Sequence, residues 1–451
     1  MLGDDYPRVE AAAERARRQF EGRAIWHVSS TLRGGGVAEI LHSLLPYVRG
    51  AGLDTRWVVL RERPQFFALT KRLHNSLHGR PGDGDEFGEE DRRLYEQTLA
   101  ESAGHLSPLL REGDIVFLHD PQTAGLVPAA KAAGAAVIWR CHIGADHPDD
   151  TARAAWNLLL PYLRHADGYV FSRREYVWDT LDRDRVRIMA PSIDPFSPKN
   201  QDLDPETVTA ILRAIRLTDG TPPGTPAFTR ADGTPGRVER RADVVQDQYL
   251  PGTAAAVVQI SRWDRLKDHH GLLECFGTRL ADTDLHLVLA GPETAAVADD
   301  PEGAAVWDEI RAARRVLPER LRARVHLLSL PMFDLDENAA MVNALQHRAD
   351  VIVQKSLAEG FGLTVAEAMW KGKPVIGSRV GGIQDQIVDG VSGVLVDPHD
   401  LDALATAIVS ICDDPARAAA LGEQAKRRVG ERFLAATRLA EYVDLLGALR
   451  R

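Results

Sequence analysis

Short apolar runs that do not alternate with polar residues recur along this chain, each followed by a stretch of helical character. The first series is Ile25-Trp26-His27-Val28, Trp57-Val58-Val59-Leu60, Ile115-Val116-Phe117-Leu118, Ala136-Val137-Ile138-Trp139 and Tyr169-Val170-Phe171. The second is Ala256-Val257-Val258-Gln259-Ile260, Leu287-Val288-Leu289, Val325-His326-Leu327-Leu328, Val351-Ile352-Val353, Val375-Ile376 and Val394-Leu395-Val396. A strand that is apolar on both faces must be covered on both faces, which is the condition of a parallel sheet between helices. Two such series predict an α/β protein of two Rossmann-like, doubly wound domains. The length, 451 residues, is too great for a single core and agrees with two.

A cluster of Pro, Ser, Lys and Asn at 195–202 marks the boundary. The N-terminal domain is expected over 1–198, the C-terminal domain over 199–431, and a closing helix over 432–451. A Gly/Pro/Thr-rich stretch at 218–236 reads as a surface insertion with little structure of its own, the whole insertion reaching about residue 250.

With 44% hydrophobic and 27% charged residues, the composition is that of a soluble globular chain. A net charge of -10 disfavours nucleic acid as a partner, because that binding needs a dense basic footprint. A local basic pocket for a small phosphate ligand remains compatible with it. The 3 cysteines, Cys141, Cys275 and Cys412, show neither zinc spacing nor a disulfide framework. The first 22 residues lack an apolar signal core, and no apolar run is long enough to span a bilayer. A cytoplasmic protein without a membrane partner is expected, and a homodimer is left open.

Three motifs carry chemistry. Ser29-Ser30-Thr31-Leu32-Arg33-Gly34-Gly35-Gly36-Val37 follows the first strand and precedes a helix at 37–48. Gly34, Gly35 and Gly36 let backbone N–H groups approach an anion at a helix start. The motif is neither a dinucleotide fingerprint nor a P-loop, and it fits a flexible turn equally well. Gln259-Ile260-Ser261-Arg262-Trp263-Asp264-Arg265-Leu266-Lys267 begins at the end of the first strand of the second series. Arg262 offers a planar fork and Lys267 a point charge, a good pair for a diphosphate. Alone, this stretch fits a solvated charged loop better.

The strongest motif is Glu359-Gly360-Phe361-Gly362-Leu363-Thr364-Val365-Ala366-Glu367-Ala368. Gly360 and Gly362 allow a tight path, and a helix opening near Thr364 offers its N–H groups to phosphate. Glu359 lies in the loop and Glu367 on the helix, so they address different ends of one ligand. Two solvated acids around a turn is the alternative, and the glycine spacing argues against it. Gly377-Ser378-Arg379-Val380-Gly381-Gly382 is a further glycine cluster that fits a pocket wall or structural punctuation.

The acidic motif and its glycine cluster resemble the donor-binding half of the retaining glycosyltransferases of group 1. These have the GT-B fold, with two Rossmann-like domains facing a central cleft. The segments 28–47 and 66–79, with His119-Asp120-Pro121-Gln122, Trp139-Arg140-Cys141-His142-Ile143 and Pro191-Ser192-Ile193-Asp194-Pro195, are similar to the trehalose glycosyltransferring synthases. So is Glu367-Ala368-Met369-Trp370-Lys371-Gly372-Lys373-Pro374-Val375-Ile376-Gly377. The likeness spans most of the chain outside 216–252.

The resemblance implies a nucleotide-diphospho-glucose donor, free glucose as acceptor and trehalose as product. It implies Arg262 and Lys267 on the diphosphate, Glu367 on the ribose hydroxyls and Glu359 on a donor-sugar hydroxyl. The backbone of Gly360, Phe361, Gly362, Leu363 and Thr364 would lie against sugar and phosphate. Gly34, Gly35 and Gly36 would close over the donor. His142 and Asp120 would hold the sugar or acceptor near the anomeric carbon, although His142 also fits a polar strand cap. No metal and no cofactor beyond the co-substrate are expected. Asp299 and Asp300 are adjacent rather than spaced as a metal-holding pair. Asp268 departs from the family pattern, which often carries glycine there, and the insertion at 218–236 is a second departure.

Three rival readings remain. A retaining glycoside hydrolase would need Glu359 and Glu367 about 5–5.5 Å apart across a sugar, which residues flanking a turn into a helix do not favour. A non-catalytic nucleotide-sugar sensor shares the fold. A transferase with another acceptor, a sugar phosphate or an aminocyclitol, shares the donor half.

Overall fold

The computed structural model describes residues 6–32, 35–60, 62–80, 87–220, 224–296 and 302–448. They form two compact units: 6–192 with 433–448, and 193–296 with 302–432.

The first unit is built on six parallel strands: β1 (Ile25–Ser29), β2 (Thr55–Val59), β3 (Ile115–His119), β4 (Ala136–Cys141), β5 (Gly168–Phe171) and β6 (Val186–Ile188). Their order is β2-β1-β3-β4-β5-β6. Every residue of β1, β3 and β5 is buried, as unbroken apolar runs require. Side chains alternate between two cores. Trp26, Val28, Val116, Leu118 and Trp139 pack on one face among Phe66, Tyr95 and Trp156. Ile25, Phe117, Ile138 and Val170 pack on the other with Leu44, Val48, Leu446 and a small-residue seam of Ala12, Ala13 and Ala16. The closing helix, Ala435–Ala448, therefore packs within the first unit. The strand β6 gives no apolar run because Val-Arg-Ile lies half-exposed at the sheet edge.

The second unit has a hairpin, β7 (Ala227–Thr229) with β8 (Pro235–Arg237), and a seven-stranded sheet. Its strands are β9 (Asp243–Val245), β10 (Ala256–Ile260), β11 (His286–Pro292), β12 (Val325–Leu330), β13 (Val351–Gln354), β14 (Val375–Ser378) and β15 (Val394–Val396). The order is β15-β14-β13-β10-β11-β12-β9, and β9 alone runs antiparallel.

The insertion is thus more structured than its composition predicts, residues 221–223 lying outside the described set. Few apolar side chains suffice because charged groups tie it down. Phe228 and Val238 are buried, and Arg230 pairs with Asp334 at 2.9 Å. The buried Glu337 carboxylate accepts the Glu239 and Arg240 backbone N–H groups and the Arg240 guanidinium.

In each sheet the chain builds outward in one direction and then returns to build in the other. The reversal falls between β1 and β3 in the first unit and between β10 and β13 in the second. Loops at the carboxyl ends of strands that flank such a reversal diverge and leave a crevice, the usual binding place in doubly wound folds. The glycine motif follows β1 and Asp120 follows β3. Arg262 and Lys267 follow β10, and Glu359 to Thr364 follow β13.

Close packing beneath the second crevice depends on two glycines. A Cβ on Gly422 in helix Pro415–Arg432 would overlap the carbonyl oxygen of Gly372, whereas one on Gly430 would meet only Trp370 at 3.8 Å. Gly422→Ala should cost about 1–3 kcal/mol. Gly430→Ala should be neutral or stabilise by about 0.5 kcal/mol. Urea unfolding of the two variants checks the opposite signs.

Candidate functional site

The second-unit crevice is assembled by Gln259, a fully buried residue of β10. Its side-chain amide donates to the Lys267 carbonyl at 2.8 Å and accepts the Lys355 backbone N–H at 3.1 Å. The Leu357 N–H adds a bond to the Leu266 carbonyl at 2.7 Å. These bonds hold together two loops that are distant in sequence. Lys267 Nζ then reaches Glu359 Oε2 at 2.6 Å. Ser356 Oγ donates to the same carboxylate oxygen at 3.1 Å, and Gln354 Nε2 lies 3.5 Å from it. Glu359 is buried, so this donor set compensates a charge withdrawn from water.

Arg262 is a quarter exposed and lies 3.6 Å from the buried carboxylate of Asp264. Asp264 also caps the short turn Arg265–Lys267 by accepting the Leu266 N–H. Asp268, where the sequence departs from the family pattern, adopts the left-handed φ of 47° that glycine takes freely. Its carboxylate offsets that strain by capping helix His269–Thr278 and pairing with the buried Lys355 ammonium.

Gly362, at φ 82° and ψ 64°, caps helix Leu363–Trp370 without a side-chain oxygen. Four other helices of the unit are capped by Asp204, Asp268, Asp334 and Asp400, whose carboxylates accept the first N–H groups. A glycine cap leaves the positive end of the helix open to an anion. The 360–362 backbone is fixed from behind. Gln386 donates to the carbonyls of Phe361, Gly362 and Gly382. A Cβ on Gly382 would lie 2.5 Å from Phe361 Cα. The glycine cluster after β14 thus serves as packing beneath the loop.

Glu367 is buried four residues into that helix, with Lys199 Nζ 3.6 Å from its carboxylate. Lys371 Nζ donates to the Glu367 carbonyl at 3.3 Å and to Asn200 Oδ1 at 3.2 Å. Burial lowers the Lys371 pKa, and the Glu367 charge opposes that shift. Glu359 and Glu367 are therefore each matched to a lysine of their own. Sequence reasoning missed Lys199, Gln259 and Ser356, whose only signal was their nearness to expected strand ends and to the domain boundary.

In the first unit, Asp120 takes φ 60° and ψ -179°, a region that is essentially glycine's own. Its Oδ1 accepts the His142 N–H at 2.7 Å, and its carbonyl accepts the indole N–H of Trp139 at 3.0 Å. The structure thus brings Asp120 and His142 together at the carboxyl ends of β3 and β4. His142 is buried, its Nδ1 3.2 Å from Ser172 Oγ and its Nε2 3.4 Å from His119 Nδ1. Gly35 is extended and caps helix Gly36–Gly50, again without a side-chain oxygen. Gly34, Asp299 and Asp300 lie outside the described residues. Among the described residues no helix is long and apolar enough to cross a membrane, and the three thiols are free.

Two parallel sheets with these carboxyl-edge crevices define a GT-B glycosyltransferase fold. The solved α,α-trehalose 6-phosphate synthase of Burkholderia multivorans shares it with a TM-score of 0.68 at 16% identity, over 95% of this chain and 97% of that one. Residues 27–178 match the model of the trehalose synthase N-terminal domain, and 241–428 that of glycosyl transferases group 1. A trehalose synthase of Pyrococcus horikoshii is 35% identical over 450 residues, covering 100% of this chain and 95% of the relative. The chain belongs to the trehalose synthase family. A trehalose phosphorylase of Pleurotus pulmonarius is 26% identical over 430 residues, 89% of this chain and 54% of that protein.

Buried histidines set how stability responds to pH. Burial holds His27, His269 and His326 at about 3, and His286 and His347 at about 4, against an ordinary 6.5. His119 and His142 are held well below it for the same reason. The unfolded chain takes up these protons as pH falls through about 6.5, while the folded chain does not until far lower. This histidine contribution is therefore full above about pH 7 and should fall steadily from there toward pH 4. Each ring adds up to about 1.4 kcal/mol per pH unit. Urea midpoints measured between about pH 7.5 and pH 5 test this slope.

Proposed function

We propose that this chain is a retaining glycosyltransferase that moves glucose from a nucleotide-diphospho-glucose to free glucose and forms trehalose. The observation that carries the reading is the Lys267–Glu359 pair at 2.6 Å, set beside a helix end that its glycine cap leaves open. The kinship with a trehalose synthase that matches along nearly its whole length supports it.

In this reading the charge that develops on the leaving diphosphate is the main quantity to stabilise. Arg262, Lys267 and the amino end of helix Leu363–Trp370 supply preorganised positive potential. Lys267 has three donors, so it can hold Glu359 and a phosphate oxygen at once. Glu359, oriented by Lys267 and Ser356, would accept a donor-sugar hydroxyl, and Glu367 the ribose hydroxyls. The departing phosphate oxygen takes the acceptor proton as the new bond forms on the same face, so no protein nucleophile and no metal are called on. His142 and Asp120 would meet the sugar. Free thiols and a family of this kind suit a cytoplasmic enzyme.

A second reading, phosphorolysis with glucose 1-phosphate as the donor in reverse, is favoured by the phosphorylase relative. The same cations would then take a single phosphate. Incubation with each common nucleotide-glucose plus glucose, beside α-glucose 1-phosphate plus glucose, separates the two. The proposal expects a single-anomer α,α-linked product by NMR from the nucleotide donor only. Product from glucose 1-phosphate alone would replace it with the second reading. Lys267→Ala should lower turnover by more than ~10²-fold, as for loss of one preorganised donor. The fold should survive because Ser356 still serves Glu359. Near-normal turnover in that variant would remove the diphosphate role.

A further inference from the structure

The first unit contains a line of buried polar groups of which the proposed reaction uses only His142. It starts at Tyr442 on helix Ala435–Ala448, where the phenol oxygen is 2.9 Å from His27 Nε2. His27 Nδ1 is 3.0 Å from His119 Nε2, and His119 Nδ1 is 3.4 Å from His142 Nε2. His142 Nδ1 is 3.2 Å from Ser172 Oγ, one residue beyond β5. No member of the line is more than 7% exposed. The rings are also packed: His27 stacks on Phe117 at 4.8 Å, and His119 lies parallel to His142.

A neutral imidazole has one donor and one acceptor nitrogen, so in such a line each ring dictates the next. Only two arrangements satisfy every contact. In the first, Tyr442 donates to His27, all three rings carry their proton on Nδ1, and His142 donates to Ser172. In the second, Ser172 donates to His142, all three rings carry it on Nε2, and Tyr442 accepts.

The ends decide between them. In the second arrangement the phenol proton of a fully buried tyrosine needs another acceptor. Among the described residues the phenol has no hydrogen-bond contact other than His27 Nε2, and the charged neighbour Arg140 only donates. In the first arrangement the proton left over belongs to Ser172, at the carboxyl edge where doubly wound sheets bind their ligands. The groups facing the line agree. Arg140 on β4 is a buried guanidinium whose Nε and Nη1 have no hydrogen-bond partner among the described residues. Asp120, after β3, is engaged by the His142 N–H. A fixed cation opposes any imidazolium, and burial, followed by Arg140, lowers the His27 and His142 pKa values.

We propose that Tyr442, His27 and His119 are positioning residues that hold the ring proton of His142 on Nδ1 and leave Ser172 a hydroxyl proton to give at the sheet edge. That the recipient is a sugar rests on the function proposed above. The proton arrangement does not.

Long-range ¹H–¹⁵N NMR of the full chain, labelled at histidine, tests it, with resonances assigned from His27→Gln, His119→Gln and His142→Gln. The expected spectrum has a protonated Nδ1 and a lone-pair Nε2 on His142, unmoved from about pH 8 to pH 5. Tyr442→Phe keeps the ring but removes the donor, and His142 should then shift toward a mixture of the two tautomers, with a severalfold loss in kcat. A wild-type His142 protonated on Nε2, or charged in that range, overturns the proposal, whether or not the variant folds. A folded Tyr442→Phe with unchanged His142 shifts overturns it also. An Nδ1–H spectrum from a chain that makes no trehalose would sink the proposed function and leave this inference standing.

Discussion

The buried amide of Gln259 is the contact on which the second-unit crevice depends. Reversal of strand order puts β13 beside β10, but sheet pairing alone would leave the two following loops free to diverge. Gln259 uses its carbonyl on one loop and its NH₂ on the other, and its own side chain is fully buried. A bond of that kind adds little when made but is costly to lose, because the abandoned partner stays buried. Through it Lys267 meets Glu359, and Glu359 in turn sets the start of the 360–362 backbone. The charges of the crevice are thus placed by contacts among the protein's own residues, which preorganised charge requires.

Charge and strain concentrate at the same edges. The chain as a whole carries -10, yet the second-unit crevice gathers Arg262, Lys267, Lys199 and Lys371 around two buried carboxylates. Buried charges persist where partners compensate them, and each glutamate here has its own lysine. Asp120 and Asp268 take positive φ values at the ends of β3 and the turn after β10. Such backbone costs about 1–3 kcal/mol at each position and lasts only where surrounding contacts hold it. For Asp120 these are the His142 N–H and the Trp139 indole; for Asp268 they are the helix cap and Lys355.

Most strands could be read from the chain because burial on both faces writes itself as uninterrupted Val, Ile and Leu. β6 and β9 could not, since Val-Arg-Ile and Asp-Val-Val are edge strands exposed on one side. The insertion misled because its order comes from ion pairs and a hairpin rather than from apolar content. Of the site, the glycine-rich turns and their acids were legible, since positive φ at Gly362 and an open helix start leave a local signature. The lysine assigned to Glu367, Lys199, had no such mark, because its partner is 168 positions away and is brought near only by folding.

The amino-acid sequence by itself determined the two doubly wound sheets, the places where their strands end, and the residue types standing at those ends. These follow from periodicity, glycine freedom and helix-end electrostatics, all of which act over a few residues. Tertiary structure alone decided the pairings: which lysine neutralises which glutamate, which amide joins two loops, and that three histidines on or just past separate strands line up under a tyrosine of the closing helix. Those contacts join residues far apart along the chain, and their geometry exists only once strand order has been set.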